Sequence, residues 1–376
     1  MIKRTGKNLE EFFRWLRPHF LPSHHRAHGS MIERGLSELI EGEPIVVCDL
    51  ANAAIDTEGG RYYSSIVRDL IDAGFFPVFV ARLATVSSFV TKAKKSYLLD
   101  NRFGVIRSLK ELQRPYYLIT DRHGPVPEHA IKVVRMVYDH RLCKSEEDIE
   151  MPYFVHPYVG ARIKLPHPYR IEDPRMARIF FGGNTTEDRY SKDSIGKTYR
   201  ILTRRQMLAV ATETLGDVIL RPTNAIEWLD SGESHPFVMF EKEKGDIQKV
   251  GIPRERWVDA LANSDFFLAC PGVDMPLCHN LIEAMAGGAI PILQYAAYLP
   301  TPLENHINAL TFDSAESLRE ALKTALGMSP AKVIKMRANV SAYYRKHLAP
   351  GCFARRLFDG ELARKNLLFN AYRVPR

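Results

Sequence analysis

Residues 256–293 constrain this chain more than any other stretch. They read as a helix, a strand (Phe266-Phe-Leu-Ala-Cys270), a loop (Pro271-Gly-Val-Asp-Met275), a second helix over 276–286, a Gly287-Gly288 stop, and a strand from Ala289 to Leu293. Two apolar strands bracketing a helix pair in parallel, because the helix carries the chain back over the sheet. Helices then cover the faces of that sheet, so the fold class is α/β.

The same alternation recurs on either side. Pro44-Ile-Val-Val-Cys48 reads as a buried strand ending at Asp49, residues 62–73 as a helix stopped by Gly74, and Phe76-Pro-Val-Phe-Val80 as the next strand. That is a second strand–helix–strand unit. Tyr116-Tyr-Leu-Ile119 and Tyr153-Phe-Val155 read as further strands of the same lobe. The segment 160–174, with Pro166, Pro168 and Pro174, has no clear periodicity and is the candidate linker. Beyond it come strands at Arg178-Ile-Phe-Phe181, Asp217-Val-Ile-Leu220 and Phe237-Val-Met-Phe240. Helices are expected over 253–263, 314–326, 330–347 and 353–371, those at 253, 276, 314 and 330 opening on proline or serine. The spacing predicts Rossmann-like lobes over 1–165 and 166–345. A helical tail over 346–376 follows, a candidate for packing back on the first lobe. No repeat of solenoid period and no low-complexity tract interrupts them.

Composition bounds the partners. A formal net charge of +8 suits an anionic partner: a nucleotide diphosphate, a nucleic acid or an acidic lipid surface. The five cysteines, Cys48, Cys143, Cys270, Cys278 and Cys352, are odd in number, widely spaced and without a C-x-x-C pair. That favours a reducing compartment over a disulfide framework or a cysteine zinc site. No apolar run approaches the roughly 18 residues of a spanning helix, and the N-terminus lacks a signal-peptide core. A cytoplasmic protein is the simplest expectation. The segment 8–20, expected as a helix, sets Phe12, Phe13, Trp15, Leu16 and Phe20 among basic residues. It is a candidate for packing on its own lobe, the alternative being peripheral contact with an anionic membrane face.

The chemistry concentrates at the loop 271–275. In an open parallel sheet, ligands bind beyond the carboxyl ends of the strands, and that is where this loop falls. The unpaired amides of the next helix start lie at the positive end of its dipole and suit a diphosphate. Leu277, Leu281, Ala284 and Met285 share one face of the expected helix, and His279, Asn280 and Glu283 another. A carboxylate at Glu283 is placed to accept ribose hydroxyls, the alternative being a solvated surface acid.

At these residues the chain resembles the exostosin-like glycosyltransferases of two-lobed GT-B type. The resemblance rests on Trp257-Val-Asp-Ala-Leu261, Phe266-Phe-Leu-Ala-Cys-Pro271, Gly272-Val-Asp274, Leu281-Ile-Glu-Ala284, Gly288-Ala-Ile-Pro-Ile292 and Leu299-Pro-Thr-Pro-Leu-Glu304. Upstream, Arg178-Ile-Phe-Phe-Gly-Gly-Asn184 with Arg189 is similar to a second family segment. The resemblance implies two Rossmann-like lobes facing each other across a cleft, acceptor lobe first. It implies transfer of a sugar, from a UDP-sugar in the usual case, to a glycan or lipid-linked saccharide. By the same resemblance Glu283 binds the donor ribose, Asp274 marks the diphosphate loop, and Asn184 and Arg189 line the donor side. Gly272 stands where the family often has arginine, and Leu277-Cys278-His279-Asn280 replaces its Ser/Thr-Arg-Arg helix start. Fewer cations therefore meet the diphosphate.

Negative charge on the leaving diphosphate calls for a fixed dipole and cations, Arg189 with Arg204 or Arg205. No D-x-D triplet occurs, so no obligatory metal cofactor is expected. An inverting reaction needs a base from the facing lobe. Asp56 and Glu58, in the loop after the first strand, are candidates, and His156 is a third. Gly196-Lys197-Thr198 is not a P-loop, since Ser191 stands where that motif needs glycine. A non-enzymatic basic protein binding nucleic acid or nucleotide is the alternative. No helix-turn-helix, zinc-finger or aromatic ribonucleoprotein motif favours it, so no nucleic-acid partner is expected. A bacterial surface polysaccharide pathway fits a transferase of this kind without an anchor.

Overall fold

The computed structural model describes residues 16, 19–50, 61–91, 101–137, 145–151, 153–160, 170–185, 194–242, 251–273 and 275–368. In chain order the elements of the first half are α1 (Pro22–Arg34), β1 (Ile45–Asp49), α2 (Arg61–Asp72), β2 (Phe76–Val80), α3 (Leu83–Thr91), β3 (Gly104–Ile106), β4 (Tyr116–Thr120), β5 (Ala130–Val137), β6 (Asp148–Glu150) and the single turn α4 (Pro157–Gly160). Then follow β7 (Ala177–Asn184), α5 (Ser194–Tyr199), α6 (Arg204–Leu215), β8 (Ile219–Leu220), α7 (Ala225–Ser231), β9 (His235–Lys242), α8 (Trp257–Ala262), β10 (Ser264–Leu268), α9 (His279–Ala286), β11 (Ile290–Leu293) and β12 (Leu310–Thr311). The chain ends in α10 (Ala315–Gly327), α11 (Pro330–His347), α12 (Cys352–Phe358) and β13 (Arg364–Leu368). Contacts divide it into two units, Met1–Met151 with Pro350–Arg376, and Pro152–Ala349.

Unit 1 holds a seven-stranded sheet in the order β3-β2-β1-β4-β5-β13-β6, parallel throughout. Its central strands are apolar on both faces, as a covered parallel sheet requires: all five residues of β1 and of β2 are buried. On one face Ile45, Val47, Phe76, Val78, Tyr116, Leu118 and Val133 form a single cluster. Residues 121–129, between β4 and β5, contain no helix, although a parallel connection usually does.

The tail differs from the expected helix over 353–371. Gly360, at φ +78°, lies just past the end of α12, and the chain then enters the sheet as β13, with Leu367 and Leu368 buried. Asp69 of α2 fixes the other end of α12. It accepts from the amides of Gly351 and Ala354, both at 2.7 Å. Gly351 lies at φ +80°, and a Cβ there would sit 2.8 Å from the Asp72 carbonyl oxygen, so glycine is required. On the sheet side, Lys132 Nζ donates to the carbonyls of Phe358, Asp359 and Gly360, at 2.7, 3.1 and 2.7 Å. A cation thus meets the negative end of the helix.

Unit 2 holds six parallel strands in the order β12-β11-β10-β7-β9-β8. Phe180, Phe237, Phe266, Leu268 and Ile292 are fully buried. α10 and α11 lie close to the expected ranges; Ser314 caps α10 by accepting from the Ser317 amide. Tyr153-Phe-Val155, expected as a strand, forms no regular element, and it belongs to unit 2. β3, β5, β6 and β12 had no counterpart among the expected strands. The expected helix over 8–20 lies largely outside the described residues. Among the described residues, no helix is long and apolar enough to cross a membrane.

Candidate functional site

In unit 2 the strand order reverses between β7 and β10, for β8 and β9 lie on one side and β11 and β12 on the other. Carboxyl ends at such a switch point form the usual ligand crevice of an open α/β sheet. Here β7 ends in Gly182-Gly183-Asn184, and β10 runs on into Cys270 and Pro271.

Four features converge there. Arg204 is the first residue of α6, whose start is fixed by a reciprocal box: Gln206 N donates to Thr203 Oγ1 at 3.3 Å, and Thr203 N to Gln206 Oε1 at 2.8 Å. That start directs Arg204 inward. It is 5% exposed and donates from Nη1 to Asn184 O at 2.7 Å and from Nη2 to Pro271 O at 3.0 Å, joining the two strand ends. The turn after Pro271 closes through Gly272 N to Pro276 O at 3.2 Å. A Cβ on Gly272 would lie 2.8 Å from the Met275 carbonyl oxygen, so only glycine makes this turn without rearrangement. At the first turn of α9, Asn280 Nδ2 donates to Gly182 O at 2.9 Å. Against Gly182 lies Trp257, whose Cζ3 would be 2.7 Å from any added Cβ.

α9 starts at His279, later than the expected 276, because Cys278 is extended (φ −145°, ψ 162°). Pro276 and Leu277 belong to the preceding turn. Beneath the turn lie Cys270, Cys278 and Tyr295. Burial pushes the Cys270 thiol up to about 12, with Arg204 pulling it back in part. Burial likewise raises Cys278 and holds Tyr295 well above its ordinary value. All three are neutral near pH 7, which leaves Arg204 as a cation beside three uncharged neighbours.

Glu283 differs from its expected place. It is 2% exposed, accepting from His156 N at 2.8 Å on Oε1 and from Trp257 Nε1 at 2.6 Å on Oε2. Burial raises its pKa to about 7, against the opposing effect of these two donors. The sequence suggested an acid open to a ribose; the structure buries it between the His156 amide and the Trp257 indole. One turn earlier, His279 Nδ1 pairs with Phe154 O at 2.5 Å, and its ring packs on Tyr153 and His156, with centroids 4.5 and 4.9 Å away. His279 and Glu283 thus clamp residues 153–156 to α9. That accounts for the unit boundary falling at Pro152 and for His156 lying in unit 2.

Of the other expected donor residues, Asn184 offers its carbonyl to Arg204, and Arg205 is exposed at the second position of α6 while Arg204 turns inward. Arg189, Asp274, Asp56 and Glu58 lie outside the described residues. Trp257 was missed as a site residue, although glycine paired with glycine at a strand end signals that something bulky approaches closely. Among the described residues, no group of three His, Cys, Asp or Glu side chains is placed to hold a metal ion.

Fold and site define a class: a chain of two parallel α/β units, the second with a pair of glycines, a tight turn and a buried arginine at its switch point. No family model matches the sequence, and no curated protein matches it. Similar solved structures include an alpha-glucosyltransferase in complex with UDP and a 13-mer DNA containing an HMU base, at 12% identity and TM-score 0.37, covering 83% of this chain and 98% of that one. A glycosyltransferase from Rickettsia africae is similar at 10% identity and TM-score 0.42, with 84% and 97% covered. The N-terminal domain of Candida albicans trehalose-6-phosphate phosphatase is similar at 9% and 0.40, with 85% and 96% covered. At these scores the similarity carries no functional weight for this chain.

Proposed function

We propose that the protein is a glycosyltransferase that takes a sugar from a nucleotide-sugar donor, a UDP-sugar in the first instance, and passes it to a glycan or lipid-linked saccharide. The supporting observation is the convergence of Gly182-Gly183-Asn184, Arg204, the Pro271–Pro276 turn and the start of α9 at one switch point. Of these, Gly182-Gly183-Asn184 and the start of the turn at Pro271-Gly272 lie in segments whose sequence resembles the exostosin-like donor lobe, while Arg204 and the start of α9 lie outside them. In this reading the diphosphate lies against the exposed edge of that convergence. Arg204 supplies a fixed positive charge, and the first amides of α9 add their dipole as negative charge develops on the leaving phosphate. Glu283 contributes by holding Trp257 against Gly182, which fixes the crevice floor. The acceptor base stays with Asp56 or Glu58 as an expectation.

Titration calorimetry with UDP, GDP, dTDP and CMP tests this reading. One nucleotide is expected to bind, and Arg204→Gln to weaken it by about ten- to hundredfold, the range for a hydrogen bond to a charged group. Asn280→Ala serves as the second variant should Arg204→Gln not fold. Absence of binding by all four, or unchanged affinity in a folded Arg204→Gln protein, overturns the reading.

A further inference from the structure

A second feature, in unit 1, stands independently of the donor reading. Along three neighbouring strands the buried apolar face ends in a polar residue two positions on: Val47 is followed by Asp49, Leu118 by Thr120 and Val133 by Arg135. Residues two apart share a face of the sheet. Register joins these side chains in one line, Asp49 beside Thr120, Thr120 beside Arg135, and Arg135 beside Asn366 of β13. The line spans four parallel strands and crosses from β1 to β4, where the strand order of this sheet reverses. That is the switch point of unit 1.

All four residues line a cavity of about 470 Å³, inside the roughly 300–1,000 Å³ range of small-molecule sites. Its origin is the helix-free crossover between β4 and β5. Where a helix would ordinarily lie over the sheet, residues 121–129 leave a space walled by Arg122 and by Pro125 and Pro127. Charge inside the cavity is unevenly matched. Asp49 is held on Oδ1 by Arg82 Nη2 at 2.5 Å and on Oδ2 by Arg122 Nε at 3.4 Å. Arg135 keeps a buried Nε without a hydrogen-bond partner among the described residues. An unmade donor is costly, and the cation that carries it lines the cavity. Arg364 adds a further cation to the wall, and the exposed Glu147 is the second acid beside Asp49. Lys365 also belongs to the wall but sends its ammonium to the Arg356 and Asp359 carbonyls, at 3.1 and 2.6 Å.

We propose that this cavity binds a small molecule carrying an oxyanion, a phosphate or carboxylate group, with Arg135 as its principal partner and Arg122 and Arg364 beside it. The half-buried Arg135, with its Nε unmatched, and the cations beside it are what select an anion over a neutral ligand of the same size.

Calorimetry on the full chain with inorganic phosphate, D-glucuronate and D-glucose tests the proposal and separates the two sources of the charge. At least one anion is expected to bind and glucose not to; tighter phosphate assigns a phosphoryl ligand, tighter glucuronate a carboxylate one. Arg135→Gln is expected to weaken the anion at least about tenfold with the melting temperature kept, and Asn280→Ala in unit 2 to leave it unchanged. Glucose binding as tightly as the anions, binding of neither anion, equal affinity in Arg135→Gln, or loss of the anion in Asn280→Ala each overturns it. Should Arg135→Gln not fold, the exposed Arg364→Gln carries the test: weaker anion binding supports the site, and unchanged binding contradicts it.

Discussion

Units 1 and 2 are both parallel sheets whose strand order reverses near the middle, yet they furnish that reversal by opposite means. In unit 2 the strand ends are made of backbone: two glycines, a tight turn at Gly272, and carbonyls gathered by Arg204 and Asn280. In unit 1 they are made of side chains, Asp49, Thr120, Arg135 and Asn366 in one row. Backbone brought this close suits an extended ligand such as a diphosphate, while a row of side chains suits a compact charged group. The units agree elsewhere. Each pins the chain just after it enters, and each does so with a buried acid: Glu283 on His156 N, and Asp69 on the amides of Gly351 and Ala354.

The largest effect expected from this comparison is on stability against pH. Burial raises both acids to about 7, Asp69 from 3.8 and Glu283 from 4.5, against the pull of the amides that bond them. With folded-state values above the unfolded ones, the folded chain holds these protons more tightly. Their contribution is full at low pH, declines as pH rises from about 4 to about 7, and is flat above. Over that window each acid accounts for a few kcal/mol. Denaturant midpoints of the parent, Asp69→Asn and Glu283→Gln across this range should show each variant losing part of the decline. Variants that stay parallel to the parent contradict the assignment.

Steric contrast between the units gives the next effect. Gly182→Ala places a Cβ against Trp257, whose indole is tied to Glu283 and cannot withdraw freely. A loss of about 1–3 kcal/mol is expected, with weaker nucleotide binding. Thr120→Val in unit 1 keeps the shape and removes the hydroxyl that donates to Asp49 O at 2.8 Å and accepts from Arg122 N at 3.1 Å. A loss of about 1 kcal/mol is expected, with nucleotide binding unchanged. Equal effects of the two on nucleotide affinity would erase the distinction between backbone-built and side-chain-built ends.

What the sequence revealed follows the same division. Most of the unit 2 sheet was legible because β7, β9, β10 and β11 are continuous apolar runs, and its candidate site was singled out because glycine, proline and a helix start fall within one short window. The part played by Glu283 was not legible, since whether a helix carboxylate meets solvent or an indole depends on where Trp257 and His156 come to lie. In unit 1, β5 was masked by Lys132 and Arg135, polar residues in a strand, and β13 by a helical reading that overran Gly360. The polar row could not be read at all: it requires the strand order β1-β4-β5-β13, which joins residues separated by more than half the chain.

The central claim is that the β7–β10 switch point receives a nucleotide diphosphate, and hydrogen exchange with and without saturating UDP tests it most directly. Slower exchange at the amides of 182–185 and 275–281, with unit 1 unchanged, is the result this account requires. Saturation by UDP with protection confined to unit 1, or with none at those amides, would contradict it.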